Sequence, residues 1–204
     1  MRSIRILAVL GALVGIVSAQ AAPIVATNNT FGTFDRSSGT RNLVVTGPGA
    51  VADVDILIDF AKCDDPAIGP ANTSCIGAGY AYLSETFFYL LSPTGTRVNL
   101  INTGTFTGGQ GARVQINFDD AAASVVGGAA MSSGTFRGVQ SLSAFNGQVA
   151  AGTWILGMGD SVGADPLSFF SARLTVNAVS EPASLGLLGL SMLVLGTFAR
   201  RRQA

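Results

Sequence analysis

Over residues 53–60 apolar and polar side chains alternate: Val54, Ile56, Ile58 and Phe60 on one side, Asp53, Asp55, Leu57 and Asp59 on the other. A period of two belongs to a strand, whose side chains point to opposite faces in turn. A helix would not keep the three aspartates on one face. The period returns in residues 113–118, where Val114, Ile116 and Phe118 share a face. Further strands are predicted over 41–46, 86–91, 97–101, 152–156 and 172–176. Between Ala22 and Ser180 no helical run of useful length occurs, and residues 119–136 hold one short helix at most. The connections are rich in Gly, Ser and Asn. In Ser92-Pro93-Thr94-Gly95, Pro93 suits the first corner of a turn and Gly95 a positive φ, so strands 86–91 and 97–101 form a hairpin. Many short strands joined in this way predict an all-β domain over residues 22–178, a jelly-roll-like β-sandwich.

The two ends have a different character. Arg2 and Arg5 precede an apolar run over 6–17 and then Ala19-Gln20-Ala21. This is the order of a secretory signal peptide with a small-x-small cleavage site. Residues 1–21 are therefore the expected signal, cut between Ala21 and Ala22. At the other end, residues 183–199 carry no charge, and Arg200, Arg201 and Arg202 follow. As a helix this segment is ~25 Å long at ~1.5 Å per residue, the short end of a bilayer span. A separate C-terminal transmembrane helix is expected, with the arginines on the cytoplasmic side.

Just before that segment the chain reads Val179-Ser180-Glu181-Pro182. Motif, apolar helix and arginine cluster together resemble the PEP-CTERM sorting signal of Gram-negative bacteria, with Ser180 where the first proline stands. The resemblance makes residues 179–204 a sorting tail. It implies an exosortase-type processing enzyme as partner, an inner-membrane intermediate, and then the cell surface or the extracellular space. It also implies a setting in an exopolysaccharide matrix.

The chain has no histidine and a single lysine. Ser-His-Asp and Cys-His catalysis and histidine-ligated zinc are thereby excluded. Without signal and tail, seven basic residues face eleven acidic ones, a net charge of −4. That gives no footprint for nucleic acid. Cys63 and Cys75, in an exported and so oxidising setting, read as a disulfide. A metal pair or a reactive thiol is the alternative, with no histidine or third thiol to support it. The acidic residues are the only candidates for polar chemistry, among them Asp53, Asp55, Asp59, Asp64, Asp65, Asp119, Asp120, Asp160 and Asp165. Clustered in loops they would suit calcium, but their spacing matches no calcium loop, and aspartates at turns bond their own backbone. No catalytic residue and no cofactor is assigned, and the domain is expected to be no enzyme. Trp154 is expected in the core rather than as a sugar platform. Tyr80, Tyr82, Phe87, Phe88 and Tyr89 read as a two-sided central strand rather than an exposed ladder.

The body also resembles the P domain (P/Homo B domain) of subtilisin-like proprotein convertases. The landmarks are Val51-Ala52-Asp53-Val54-Asp55-Ile56, Ser92-Pro93-Thr94-Gly95-Thr96, Phe118-Asp119-Asp120, Leu142 to Gly147, Gly152-Thr153-Trp154, and Asp160 to Asp165. The chain departs from it at Tyr80 to Thr86, at Leu167 and at Ala172, and the cysteine-bearing segment 61–79 is an insertion. The resemblance implies a non-catalytic accessory domain with an interaction or structural role. An extracellular carbohydrate-binding module is the alternative, which an exposed aromatic row on one sheet face would favour.

Overall fold

The computed structural model describes residues 22–179. Ten strands form two sheets: β1 Ile24–Asn28, β2 Gly32–Phe34, β3 Ser38–Val45, β4 Ala50–Lys62, β5 Thr86–Leu91, β6 Arg97–Ile101, β7 Ala112–Phe118, β8 Gly134–Phe136, β9 Gly152–Asp160 and β10 Leu167–Val179. One sheet has the order β1-β10-β4-β7-β8, with β2 also paired to β10; the other has β3-β9-β5-β6. All pairs are antiparallel except β7 with β8. The only helical elements among the described residues are 3-10 turns at Leu83–Glu85 and Leu142–Phe145.

The inward rows are those the alternation predicts. Val54, Ile56, Ile58 and Phe60 of β4 and Val114, Ile116 and Phe118 of β7 are buried in one core cluster. From the second sheet come Leu43, Phe88, Leu90, Trp154, Leu156 and Met158. Trp154 is fully buried. Its indole N–H donates to Ala150 O at 3.0 Å, and its ring meets Phe145 edge-on at 4.9 Å between centroids. A buried indole needs such a partner to avoid an unpaired donor.

The β5–β6 hairpin forms, and Gly95 has φ +89°. β3 and β4 lie in different sheets, so Gly47-Pro48-Gly49 carries the chain across the sandwich edge. Residues 119–136 hold no helix; they form irregular bridges and the short β8. Strands β1, β2 and β8 lack a readable period because they are short and lie at sheet edges. Tyr80 and Tyr82 precede β5 instead of belonging to it and are half exposed, with rings 4.6 Å apart.

Ala22 and Val179 are the first and last described residues. The predicted signal peptide, Ala21, the motif residues Ser180, Glu181 and Pro182, the apolar segment and Arg200, Arg201 and Arg202 lie outside the described residues. Among the described residues no helix is long and apolar enough to cross a membrane.

Candidate functional site

The inward parity of β4 continues past Phe60 to Lys62, the single lysine of the chain. Its side chain is fully buried. The ammonium donates to Asp160 Oδ2 at 2.5 Å and to the backbone carbonyl of Asp165, and lies 2.6 Å from Asp165 Oδ2 and 3.4 Å from Glu85 Oε2. Asp160 ends β9, Asp165 closes the β9–β10 connection, and Glu85 ends the turn before β5. One lysine, at the end of the central strand of its sheet, thus reaches β9 of the other sheet, the turn before β5 and the β9–β10 connection. Asp160 also accepts from Val162 N at 3.1 Å, which shapes the connecting loop.

Among the described residues, Glu85, Asp160 and Asp165 are the one group of three carboxylates with ligand atoms within 4.8 Å of one another. The ammonium already stands at their centre, so these residues do not fit calcium as they are. Three carboxylates face one cation in a buried space. Burial raises Asp165 to about 6, against the opposing pull of Lys62. Asp160 is raised as well, again chiefly by burial. Lys62, Asp160 and Asp165 are buried and Glu85 is partly so, which suits a structural role.

Cys63 and Cys75 are bonded, with Cα atoms 5.5 Å apart. The loop they close folds over the outer face of β4. There Ala61, Cys63, Ile68 and Phe170 form a small second core with Cys75 against it. This cover changes the environment of Asp59, expected on a solvated face. It is buried and takes a bidentate pair from Arg113, Nε at 3.0 Å and Nη2 at 2.9 Å. Arg113 further donates to Pro70 O and Asn72 O and stacks on Phe170 at 3.7 Å. The guanidinium ties the disulfide loop to the sheet.

Nearer the start of β4 the outer face is acidic. Asp55 has a buried Oδ1 without a partner. Burial first, then the charges of Asp53, Asp119 and Asp120, raise it to about 6. Asp119 and Asp120 have turn duties: Asp119 Oδ1 accepts from Ala121 N, and Asp120 accepts from Leu142 N and Ser143 N at the start of a 3-10 turn. A carboxyl that holds its proton more tightly folded than unfolded favours the fold at low pH. The contribution of Asp55 is fully present below its ordinary 3.8 and is lost as pH rises through about 6. Asp165 acts in the same sense. The melting temperature should therefore fall between pH 4 and pH 7. Asp55→Asn should melt a few degrees above the parent at pH 7, with the gap closing towards pH 4. Calorimetry across this range checks both statements; an Asp55→Asn variant less stable at pH 7 would refute the assignment.

The outer face of the second sheet is different. The registers align Thr40, Gly157, Tyr89 and Asn99 in one row and Ser38, Gly159 and Phe87 in the next. A Cβ on Gly157 would strike the Tyr89 ring, and one on Gly159 the Phe87 ring. The two rings therefore lie over the glycines of β9. Arg97 stacks on Tyr89 at 3.8 Å, and its Nε donates to Asn99 Oδ1 at 3.0 Å. Phe87, Arg97, Asn99, Asn102 and Thr103 line a groove of about 460 Å³. The expectation for this stretch is corrected in part. β5 is an inner strand of its sheet, yet Phe87 and Tyr89 remain half-buried on the open face.

Sequence reasoning missed Lys62 and Arg97. The parity of β4, extended by one step beyond Phe60, points Lys62 inward. Arg97 gave no signal, because its stacking partner lies across a hairpin.

Residues 178–203 match the family model described as the PEP-CTERM protein-sorting motif. The match includes Val179, Ser180, Glu181, Pro182, Arg200, Arg201 and Arg202. No curated protein matches the chain. The motif implies an exported protein, processed by an exosortase-type enzyme and sorted to the cell envelope.

Proposed function

We propose that this chain is an exported, non-catalytic β-sandwich that works at the cell surface, or in an exopolysaccharide matrix, by interaction or as a structural component. The observation that carries the reading is the sorting motif at residues 178–203, which begins at the end of β10, the last strand of the two-sheet domain. Val179 is the last residue of β10. Processing near Glu181-Pro182 would thus cut beyond the final strand and leave its ladder whole. Before the cut, residues 183–199 would hold the protein in the inner membrane as a helix with its backbone satisfied internally.

The absence of histidine and the burial of Lys62 with Asp160 and Asp165 support a role without catalysis. The strand order supports the jelly-roll-like reading. With the short β2 and β8 set aside, eight strands run first-eighth-third-sixth in one sheet and second-seventh-fourth-fifth in the other. That is the arrangement of two Greek keys. The P-domain resemblance of the body rests on its sequence landmarks, which fall on β4, the β5–β6 turn, the end of β7 and β9.

The test is sorting in the native host. Replacing Arg200, Arg201 and Arg202 by glutamine should leave the domain folded and block maturation. Cell fractionation and gel mobility would then show an uncut, misplaced precursor, while the parent is recovered as a shorter form beginning at Ala22. Normal processing and placement of the triple variant would overturn the sorting role of the arginines.

A further inference from the structure

We propose that the groove beside Phe87 and Arg97 is a binding site for an acidic polysaccharide, taking a uronate residue with its carboxylate on Arg97 and its ring against Phe87. This deepens the matrix reading above and rests on it for the source of the ligand. The domain carries net negative charge, and its carboxylates lie elsewhere. The outer face of the four-stranded sheet presents Ser38, Thr40 and Asn42 from β3, Thr153 and Ile155 from β9, Phe87 and Tyr89 from β5, and Arg97 and Asn99 from β6. Arg97 is the one charged side chain in these rows. An anionic ligand meets no repulsion there and one fixed cation.

That cation is oriented in advance. Tyr89 holds the guanidinium plane at 3.8 Å, and Asn99 takes the Nε–H. Both Nη groups are without a partner among the described residues, and they form the fork that suits a carboxylate bidentately. Because the plane is already held, little side-chain entropy remains to be lost on binding. The Phe87 ring has one face on the β9 backbone at Gly159, and it lines the groove. A half-buried aromatic of this kind offers apolar area to the C–H face of a sugar ring. The amide of Asn102 and the hydroxyl of Thr103 line the same groove and make no side-chain hydrogen bond among the described residues. They supply the donors and acceptors that sugar hydroxyls need. Gly157 and Gly159 are what allow this surface: any side chain there would lift the rings from the sheet.

The probe is polygalacturonate, with neutral dextran as control, in affinity electrophoresis of the full-length protein in detergent micelles. The parent should be retarded by polygalacturonate and not by dextran, and free galacturonate should compete where galactose does not. Arg97→Gln should bind at least about tenfold more weakly, since hydrogen bonds to a charged group are lost, with an unchanged melting temperature. Arg97→Lys, which keeps the charge and loses the fork, should recover only part of the affinity. No retardation of the parent, equal retardation by dextran, or an Arg97→Gln variant that binds like the parent would each overturn the site. None of these results touches the sorting reading, which stands or falls on the processing experiment.

Discussion

Lys62→Met is expected to destabilise the domain by about 3–5 kcal/mol, the cost of removing one partner from a buried ionic group. Methionine fills much of the volume, so the loss reports the charge and not a cavity. Without the ammonium, Glu85, Asp160 and Asp165 share a buried space. They can relieve their repulsion only by taking up protons or opening the structure. The deficit should therefore shrink as pH falls from 7 towards 4. A related expectation follows for Lys62→Ala. Three carboxylates with oxygens within 4.8 Å of one another could then close on calcium, whose oxygen ligands lie at ~2.3–2.6 Å. Millimolar calcium should raise the melting temperature of Lys62→Ala and leave the parent unchanged. Chemical denaturation measures the first effect, and thermal denaturation with and without calcium the second. A Lys62→Met variant as stable as the parent would show that the cluster does not hold this end of the sandwich.

Removing the disulfide should cost a similar amount. Cys63 and Cys75 are twelve positions apart, and closing a loop of that size is worth about 3 kcal/mol in the chain-entropy model. The double change Cys63→Ser and Cys75→Ser also places hydroxyls in and against the small core of Ala61, Ile68 and Phe170. Arg113 would still bind Pro70 O and Asn72 O, so the loop should loosen without leaving the sheet. Hydrogen exchange should then quicken in residues 63–79 before it quickens in β4. Uniform quickening across the domain would mean that the loop folds only as part of the whole.

Much of the fold was legible because the strands that face the core carry their periodicity openly. The alternation in β4 and β7, the Pro93–Gly95 turn and the buried Trp154 needed only local rules. Strands β1, β2 and β8 were not legible, since three to five residues with partial burial have no pattern to read. The insertion between the cysteines hid a second effect: it covers β4 and turns Asp59 from a solvated residue into a buried partner of Arg113.

The sites divide in the same way. Residues close in sequence and tied to covalent or targeting chemistry could be read directly: the cysteine pair, the sorting motif and its arginines. These depend on composition and order along the chain. The Lys62 cluster joins positions up to 103 residues apart, and the Arg97–Tyr89 pair meets across a hairpin. Their partners are chosen by strand register and by which sheet each strand enters. Sequence alone determined that the chain is all-β, exported and tailed for sorting, because period, charge order and motif are one-dimensional properties. Only the tertiary structure decided that its single lysine is a buried tie and that one sheet face carries a lone, oriented arginine, because the first follows from contacts between strands far apart in the chain and the second from the register of a hairpin on the outer face of its sheet.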